Sequence, residues 1–219
     1  MSMNLDSARI NMVENQVRPW EVLDARVLDA LGSIRREQFV PDSYRNLAYA
    51  DTALPIGHGE VMLKPVIEGR LLQALAIEPG ERVLEIGTGS GYLTACIAQL
   101  AGEVLSIEQH ADLADAARAR LDRAGIRNVR IDTAEAIHAL DLHEQFDAVA
   151  IGGAVHALPE RFRRWVAPGG RLFAVVGDSP AMQAQLHSRT DDTHWTVTSL
   201  FETDIPYLAH AAPPRLFTL

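Results

Sequence analysis

The sequence predicts an α/β fold, with a mainly parallel sheet, helices on both faces and an N-terminal helical addition. From about residue 66 onward, short apolar runs alternate with helix-patterned stretches, and glycines at 87, 89 and 91 stand between the first strand and the helix after it. Strand–helix alternation at this spacing implies right-handed crossovers and parallel pairing. The chain has 219 residues, 47% hydrophobic and 22% charged, enough for one substantial core. Three regions (1–65, 66–180 and 181–219) therefore read as parts of one domain.

Residues 4–47 read as helical, first over 8–17 and then over 22–34 after the break at Pro19. Val27, Leu28, Leu31 and Ile34 recur at three- and four-residue steps, one face of a helix. Pro41 and Pro55 bracket a less regular stretch, with Gly57-His58-Gly59 as a turn. A helix is expected over 66–76, a strand over 82–86, a helix over 92–100 and a strand over 104–108. Next come a helix over 111–124 and strands over 129–132 and 146–151. A short helix over 159–166, stopped by Pro168-Gly-Gly, leads to a fifth strand over 171–176. The tail from 181, which contains Trp195-Thr-Val-Thr-Ser-Leu-Phe, reads as further antiparallel strand completing the sheet.

The formal charge of −9 argues against a nucleic-acid partner, because phosphate neutralisation needs a basic face. The densest basic clusters, Arg35-Arg36 and Arg161/Arg163/Arg164, lie among acidic or apolar neighbours. A single cysteine, Cys96 in an apolar helical stretch, precludes an intramolecular disulfide and reads as a small buried hydrophobe. The histidines show no metal-ligand spacing, so no metal is expected. Residues 1–15 mix polar and charged types, unlike a signal peptide, and no apolar run reaches the ~20 residues that span a bilayer. A cytoplasmic protein with no membrane partner is the expectation.

The strongest chemical signal is Val83-Leu-Glu-Ile-Gly-Thr-Gly-Ser-Gly-Tyr. A dinucleotide fingerprint would place its third glycine at position 92, which is Tyr92. The pattern is instead acid-x-G-x-G-x-G from Glu85, as in class I methyltransferases, whose Rossmann-like fold binds S-adenosyl-L-methionine and releases S-adenosyl-L-homocysteine. Gly87, Thr88, Gly89, Ser90, Gly91 and Tyr92 would form the loop, and Glu85 would help hold the cofactor's ammonium. Glu108, with Gln109 beside it, ends the second strand, where an acid accepts both ribose hydroxyls. Glu135 and Ala136 follow the third strand, where an acid can accept from the adenine amino group and a small residue lets the base lie flat.

Beyond the glycine loop, the sequence resembles the protein-L-isoaspartate O-methyltransferase family over roughly residues 10–180. Val27-Leu-Asp-Ala-Leu with Phe39-Val-Pro, Ala48-Tyr-Ala-Asp, Leu54-Pro-Ile-Gly-His-Gly and Pro168-Gly-Gly-Arg-Leu are all similar to family segments. The resemblance implies methyl transfer to a carboxylate, with a protein or peptide as acceptor. The active loop departs from it. Where the family reads Gln-Thr-Ile-Ser-x-Pro, this chain reads Glu60-Val61-Met62-Leu63-Lys64-Pro65, so Val61 replaces the Thr, and Leu63 replaces the catalytic Ser and is chemically inert.

The Val61–Met62–Leu63 face either lines a pocket for an apolar acceptor or packs under the N-terminal helices. Lys64 either attracts a carboxylate or is simply solvated. His58, beside this loop, and His156, after the fourth strand, are candidate general bases, each with a loop-shaping role as the alternative. A diverged methyltransferase acting on a peptide carboxylate or a small molecule is the main expectation. A non-catalytic S-adenosylmethionine-binding accessory or sensor protein is the alternative.

Overall fold

The computed structural model describes residues 4–191 and 193–214; residues 1–3, 192 and 215–219, which belong to the first and last expected regions, lie outside the described residues. The N-terminal addition opens with α1 (Leu5–Asn11), capped by the Asn4 side chain, and winds into a π turn, Met12–Val17. Pro19 sits in the short 3-10 turn Arg18–Trp20, and Glu21 takes a left-handed conformation that ends it. Asp24 then accepts from the Arg26 N–H to start α2 (Ala25–Ser33). The expected helix over 22–34 thus begins only after this cap. Short 3-10 turns follow at Arg36–Gln38 and Asp42–Leu47, so the helical reading of 4–47 holds in type but not in continuity.

Residues 54–62 form a small antiparallel hairpin, β1 (Leu54–Gly57) and β2 (Glu60–Met62), around the turn expected at Gly57-His58-Gly59; its two strands were not expected. Pro65, with its φ preset for a first helical turn, opens α3 (Pro65–Leu75). Then come β3 (Arg82–Ile86), α4 (Tyr92–Leu100), β4 (Glu103–Glu108), α5 (Ala111–Arg123) and β5 (Val129–Thr133). β6 (Phe146–Val155), α6 (Glu160–Arg164), β7 (Val166–Val176), β8 (Met182–Arg189) and β9 (Trp195–Thr203) complete the chain. The seven-stranded sheet has the order β5-β4-β3-β6-β7-β8-β9, parallel through β7 and antiparallel beyond it.

Two strands run longer than their apolar cores suggested. β6 continues past Ile151 through an irregularity between Ala150 and Ala154, and β7 starts at Val166, so Pro168-Gly169-Gly170 lies inside a bulged strand. Gly170 permits this, since a Cβ there would stand 2.7 Å from the Asp147 carbonyl oxygen.

Strand alternation sorts the core. Val83, Val104, Ala148, Ala150 and Phe173 face α2, α3, α4 and α5, while Leu84, Ile86, Leu105, Val149 and Leu172 face α6 and the segment after β5. Sequence order reverses at β3, where β4 and β6 leave on opposite sides. In open α/β sheets the crevice beyond the strand ends at such a point is where ligands bind.

Candidate active site

A cleft open to solvent lies at that point. Its floor is made by the exits of β3, β4 and β5 and by the middle of β6. After β3 the chain turns through Gly87, Gly89 and Gly91, all at positive φ (93°, 52° and 85°), which costs glycine little. The N–H groups of Gly87 and Thr88 both donate to the Ile107 carbonyl at 2.9 and 3.2 Å, which ties the loop to β4. Gly152 closes the floor from β6, since a Cβ on it would stand 3.0 Å from the Gly87 carbonyl oxygen.

Glu108, at the end of β4, is 5% exposed and lines the cleft. Its two carboxylate oxygens accept from the Gly89 N–H at 2.8 Å and the His110 N–H at 3.0 Å. Each oxygen keeps a further lone pair for a ligand hydroxyl. Glu135 accepts from the N–H groups of Ile137, His138 and Ala139 at 2.6, 2.8 and 3.1 Å. Burial alone would push its pKa up; the three donors outweigh that and hold it below the ordinary carboxylate range. Ala134, Ala136 and Ile137 complete this wall.

The roof comes from two segments. The β1–β2 hairpin contributes Ile56, Glu60 and Val61, with Leu63 just beyond it, and the strap after β9 contributes residues 206–209. The strap is fixed to β6 by Ala154 N–H to Pro206 O at 2.9 Å and Leu208 N–H to Ala154 O at 2.8 Å. The Tyr207 hydroxyl donates to the Gly177 carbonyl at 3.0 Å. Gly153 makes room for Leu208, which lies 3.0 Å from where a Cβ would be.

Of the residues singled out by sequence, Gly87, Gly89, Glu108, Gln109, Glu135, Ala136, Val61 and Leu63 line the cleft. Glu85 does not. It shares the helix-covered face with Val83, is fully buried, and accepts from the hydroxyls of Thr94 at 2.5 Å and Ser106 at 2.6 Å. Burial pushes its pKa up to about 8, against the pull of those hydroxyls, and its Oε1 has no hydrogen-bond partner. Thr88 bonds to Ser106 in the same cluster, the Ser90 hydroxyl accepts from the Tyr92 N–H, and Gly91 packs on Ala117. The Tyr92 ring is buried edge-on against Phe39. These residues shape the loop from beneath.

Met62 is a core residue, and Lys64 is exposed at the start of α3. His58 turns outward at the hairpin tip, bonded to both Asp112 carboxylate oxygens and stacked on His110 with ring centroids 4.0 Å apart. That bond holds Asp112 below the usual carboxylate range. His156, expected to face the acceptor, is bonded through Nδ1 to Asp178 at 2.6 Å and is not among the cleft-lining residues. β6 ends at Val155, and the strap lies along that end through a His156 N–H to Ala211 O bond of 2.9 Å.

Sequence reasoning missed Ile56, Gly152, Gly153 and residues 206–209. Only the Gly152-Gly pair carried a local signal, two adjacent glycines in an apolar strand, which marks close backbone approach. It also missed Arg36, which is fully buried, pairs with Glu68 and donates to the Leu63 carbonyl at 2.5 Å. Its guanidinium lies 4.6 Å from the Tyr92 ring centroid.

The glycine turn and the acids at adjacent strand ends define the class: an S-adenosyl-L-methionine-dependent methyltransferase of the class I, Rossmann-like type. A model of the protein-L-isoaspartate(D-aspartate) O-methyltransferase family matches residues 8–208, and the chain belongs to that family. It is 43% identical over 172 residues to protein-L-isoaspartate O-methyltransferase of Methylorubrum populi, covering 78% of this chain and 81% of the relative. The protein of that name from Koribacter versatilis is 41% identical over 180 residues, covering 82% and 80%. In fold, the chain is similar to a Plasmodium falciparum protein of the same family name, solved in complex with S-adenosyl-L-homocysteine. That match has a TM-score of 0.79 at 21% identity and covers 94% of this chain and 99% of the other. No helix of the described residues is long and apolar enough to cross a membrane.

Proposed function

We propose that this cleft transfers a methyl group from S-adenosyl-L-methionine to a carboxylate of the isoaspartyl kind for which the chain's relatives are named. The observation that carries this reading is that Gly87, Glu108 and Glu135–Ala136, at three adjacent parallel strand ends, line one cleft. The residues fit the cofactor. Glu108 retains acceptor capacity for the ribose hydroxyls, and Ala136 leaves a flat wall for a base beside it. The carboxylates of Glu60, Glu108 and Glu135, with no Lys or Arg among the described lining residues, suit a cationic ligand. When bound, the cofactor supplies an electrophilic methyl group on a sulfonium.

The chain's own contribution is then alignment and exclusion of water. A carboxylate with an ordinary pKa near ~4 is ionised at neutral pH, so no general base is required, and positioning dominates. Ile56, Val61, Leu63, Pro206 and Leu208 supply a mostly apolar roof. Because Val61 and Leu63 lack hydroxyls, the roof offers fewer donors to orient a peptide carboxylate, and discrimination among acceptors should be weak.

The same two residues favour a second reading, a binding module without turnover. Methyl transfer from labelled S-adenosyl-L-methionine to an isoaspartyl peptide separates the two. Base-labile label in the peptide is the expected result. Cofactor binding on the same sample without label transfer would overturn the catalytic reading and leave the binding module.

A further inference from the structure

Glu108 is the acid that the strand pattern assigns to the cofactor's ribose, yet a second carboxylate faces the same end of the cleft from the other side. Glu60 lies on β2, lines the cleft together with Glu108, and makes no side-chain hydrogen bond among the described residues. Its Oε1 lies 3.8 Å from the Nε2 of His110, too long for a hydrogen bond. Glu108 raises the energy of ionising Glu60, and two carboxylates facing one cleft repel each other unless something between them donates to both. A vicinal diol has two O–H donors for that purpose.

We propose that Glu60 is a second ribose-binding carboxylate, so that the roof hairpin and the end of β4 hold the cofactor's diol between them. This inference rests on the cofactor assignment above and is independent of the identity of the methyl acceptor. The hairpin is fastened in the required place: His58 at its tip bonds to Asp112 on α5 at 2.9 and 3.0 Å and stacks on His110, the residue before α5. His58 and Asp112 are therefore positioning residues for Glu60.

The charged and titratable groups around Glu60 are Glu108 from β4, His110 ahead of α5 and His58 from its own hairpin, with Asp112 behind His58. Burial, then Glu108, raises Glu60 above the ordinary carboxylate range, and the two histidines pull the other way. Ionised Glu60 is the better acceptor for hydroxyl donors. Affinity should thus rise with pH as Glu60 loses its proton, above the range where ordinary carboxylates titrate.

The test is calorimetric titration of S-adenosyl-L-homocysteine and its 2′,3′-dideoxy analogue into wild-type protein and Glu60→Gln, from pH 5 to pH 8. Glu60→Gln should weaken S-adenosyl-L-homocysteine roughly tenfold at pH 8, the scale of a lost charge-assisted hydrogen bond, and flatten the pH dependence. The substitution should change affinity for the dideoxy analogue less than about twofold, because no hydroxyl is left to lose. Equal affinity of both proteins for S-adenosyl-L-homocysteine, or an equal loss for both ligands, would overturn the role of Glu60 alone. No binding of S-adenosyl-L-homocysteine by the wild-type protein would overturn the cofactor assignment as well.

Discussion

On the floor of the cleft, β3, β4 and β5 end side by side, and glycines and backbone-anchored acids form the surface. Gly87 and Gly89 expose main chain, Glu108 is fixed by the Gly89 N–H of the glycine turn and the His110 N–H of its own loop, and Glu135 by N–H groups of its own loop. On the roof, the hairpin and the strap present side chains: Ile56, Glu60, Val61, Leu63 and Leu208. The floor depends on φ angles and strand register, which most single substitutions elsewhere leave intact. The roof depends on which side chain occupies each position, so one replacement changes what it can recognise. A cofactor site can therefore persist while the acceptor end diverges.

The largest expected effect comes from cutting the link between the two regions. Arg36 holds the Leu63 carbonyl, Glu68 of α3 and the face of Tyr92. Arg36→Met leaves the Glu68 carboxylate buried and unpaired, and should lower stability by about 3–5 kcal/mol in urea unfolding. Adding Glu68→Leu should recover most of that loss; if it recovers none, the pair matters for more than its charge.

A smaller effect is expected on the roof. Val61→Thr with Leu63→Ser should raise kcat/KM on an isoaspartyl peptide by roughly tenfold, the scale of a regained hydrogen bond. Because Leu63 is 6% exposed, the pair should also cost about 2–4 kcal/mol of stability, a burial cost the kinetics must be corrected for. No gain in the folded variant would mean that the acceptor end has diverged beyond its hydroxyls.

Beneath the floor, Glu85 titrates near 8 in the folded chain against an ordinary 4.5. The folded protein thus holds an extra proton between those values, and stability should fall as pH rises through that window. Glu85→Gln should flatten this slope in urea midpoints taken at pH 5, 6.5 and 8. Matching slopes in the two proteins would place the charge elsewhere. The smallest effect belongs to His156→Ala, which should leave methyl transfer within about twofold, because that ring is paired with Asp178 outside the cleft.

How legible each region was follows from the same contrast. The floor is written locally: α4 was expected at 92–100 and is found there, and β3, β4 and β5 agree within a residue at either end. The period of the apolar residues and the glycine turn are short-range signals. Glu85 is less legible, because a motif does not say which face of a strand an acid takes. Its alternation with Val83 and Ile86 does, and that points Glu85 under α4. The roof is long-range. Residues 206–209 meet Gly153 across more than fifty positions, and Arg36 reaches Glu68 across thirty-two, with nothing local to announce either contact. The three-residue strand β2 is too short to show a period.

The most direct measurement is a calorimetric titration of S-adenosyl-L-methionine into the wild-type protein and Glu108→Ala, with circular dichroism verifying that both are folded. One site per chain in the wild type, weakened about tenfold or more in the variant, is the result expected of a cleft whose β4 acid holds the ribose. Equal affinity in the two proteins would contradict it and place the cofactor elsewhere than at these strand ends.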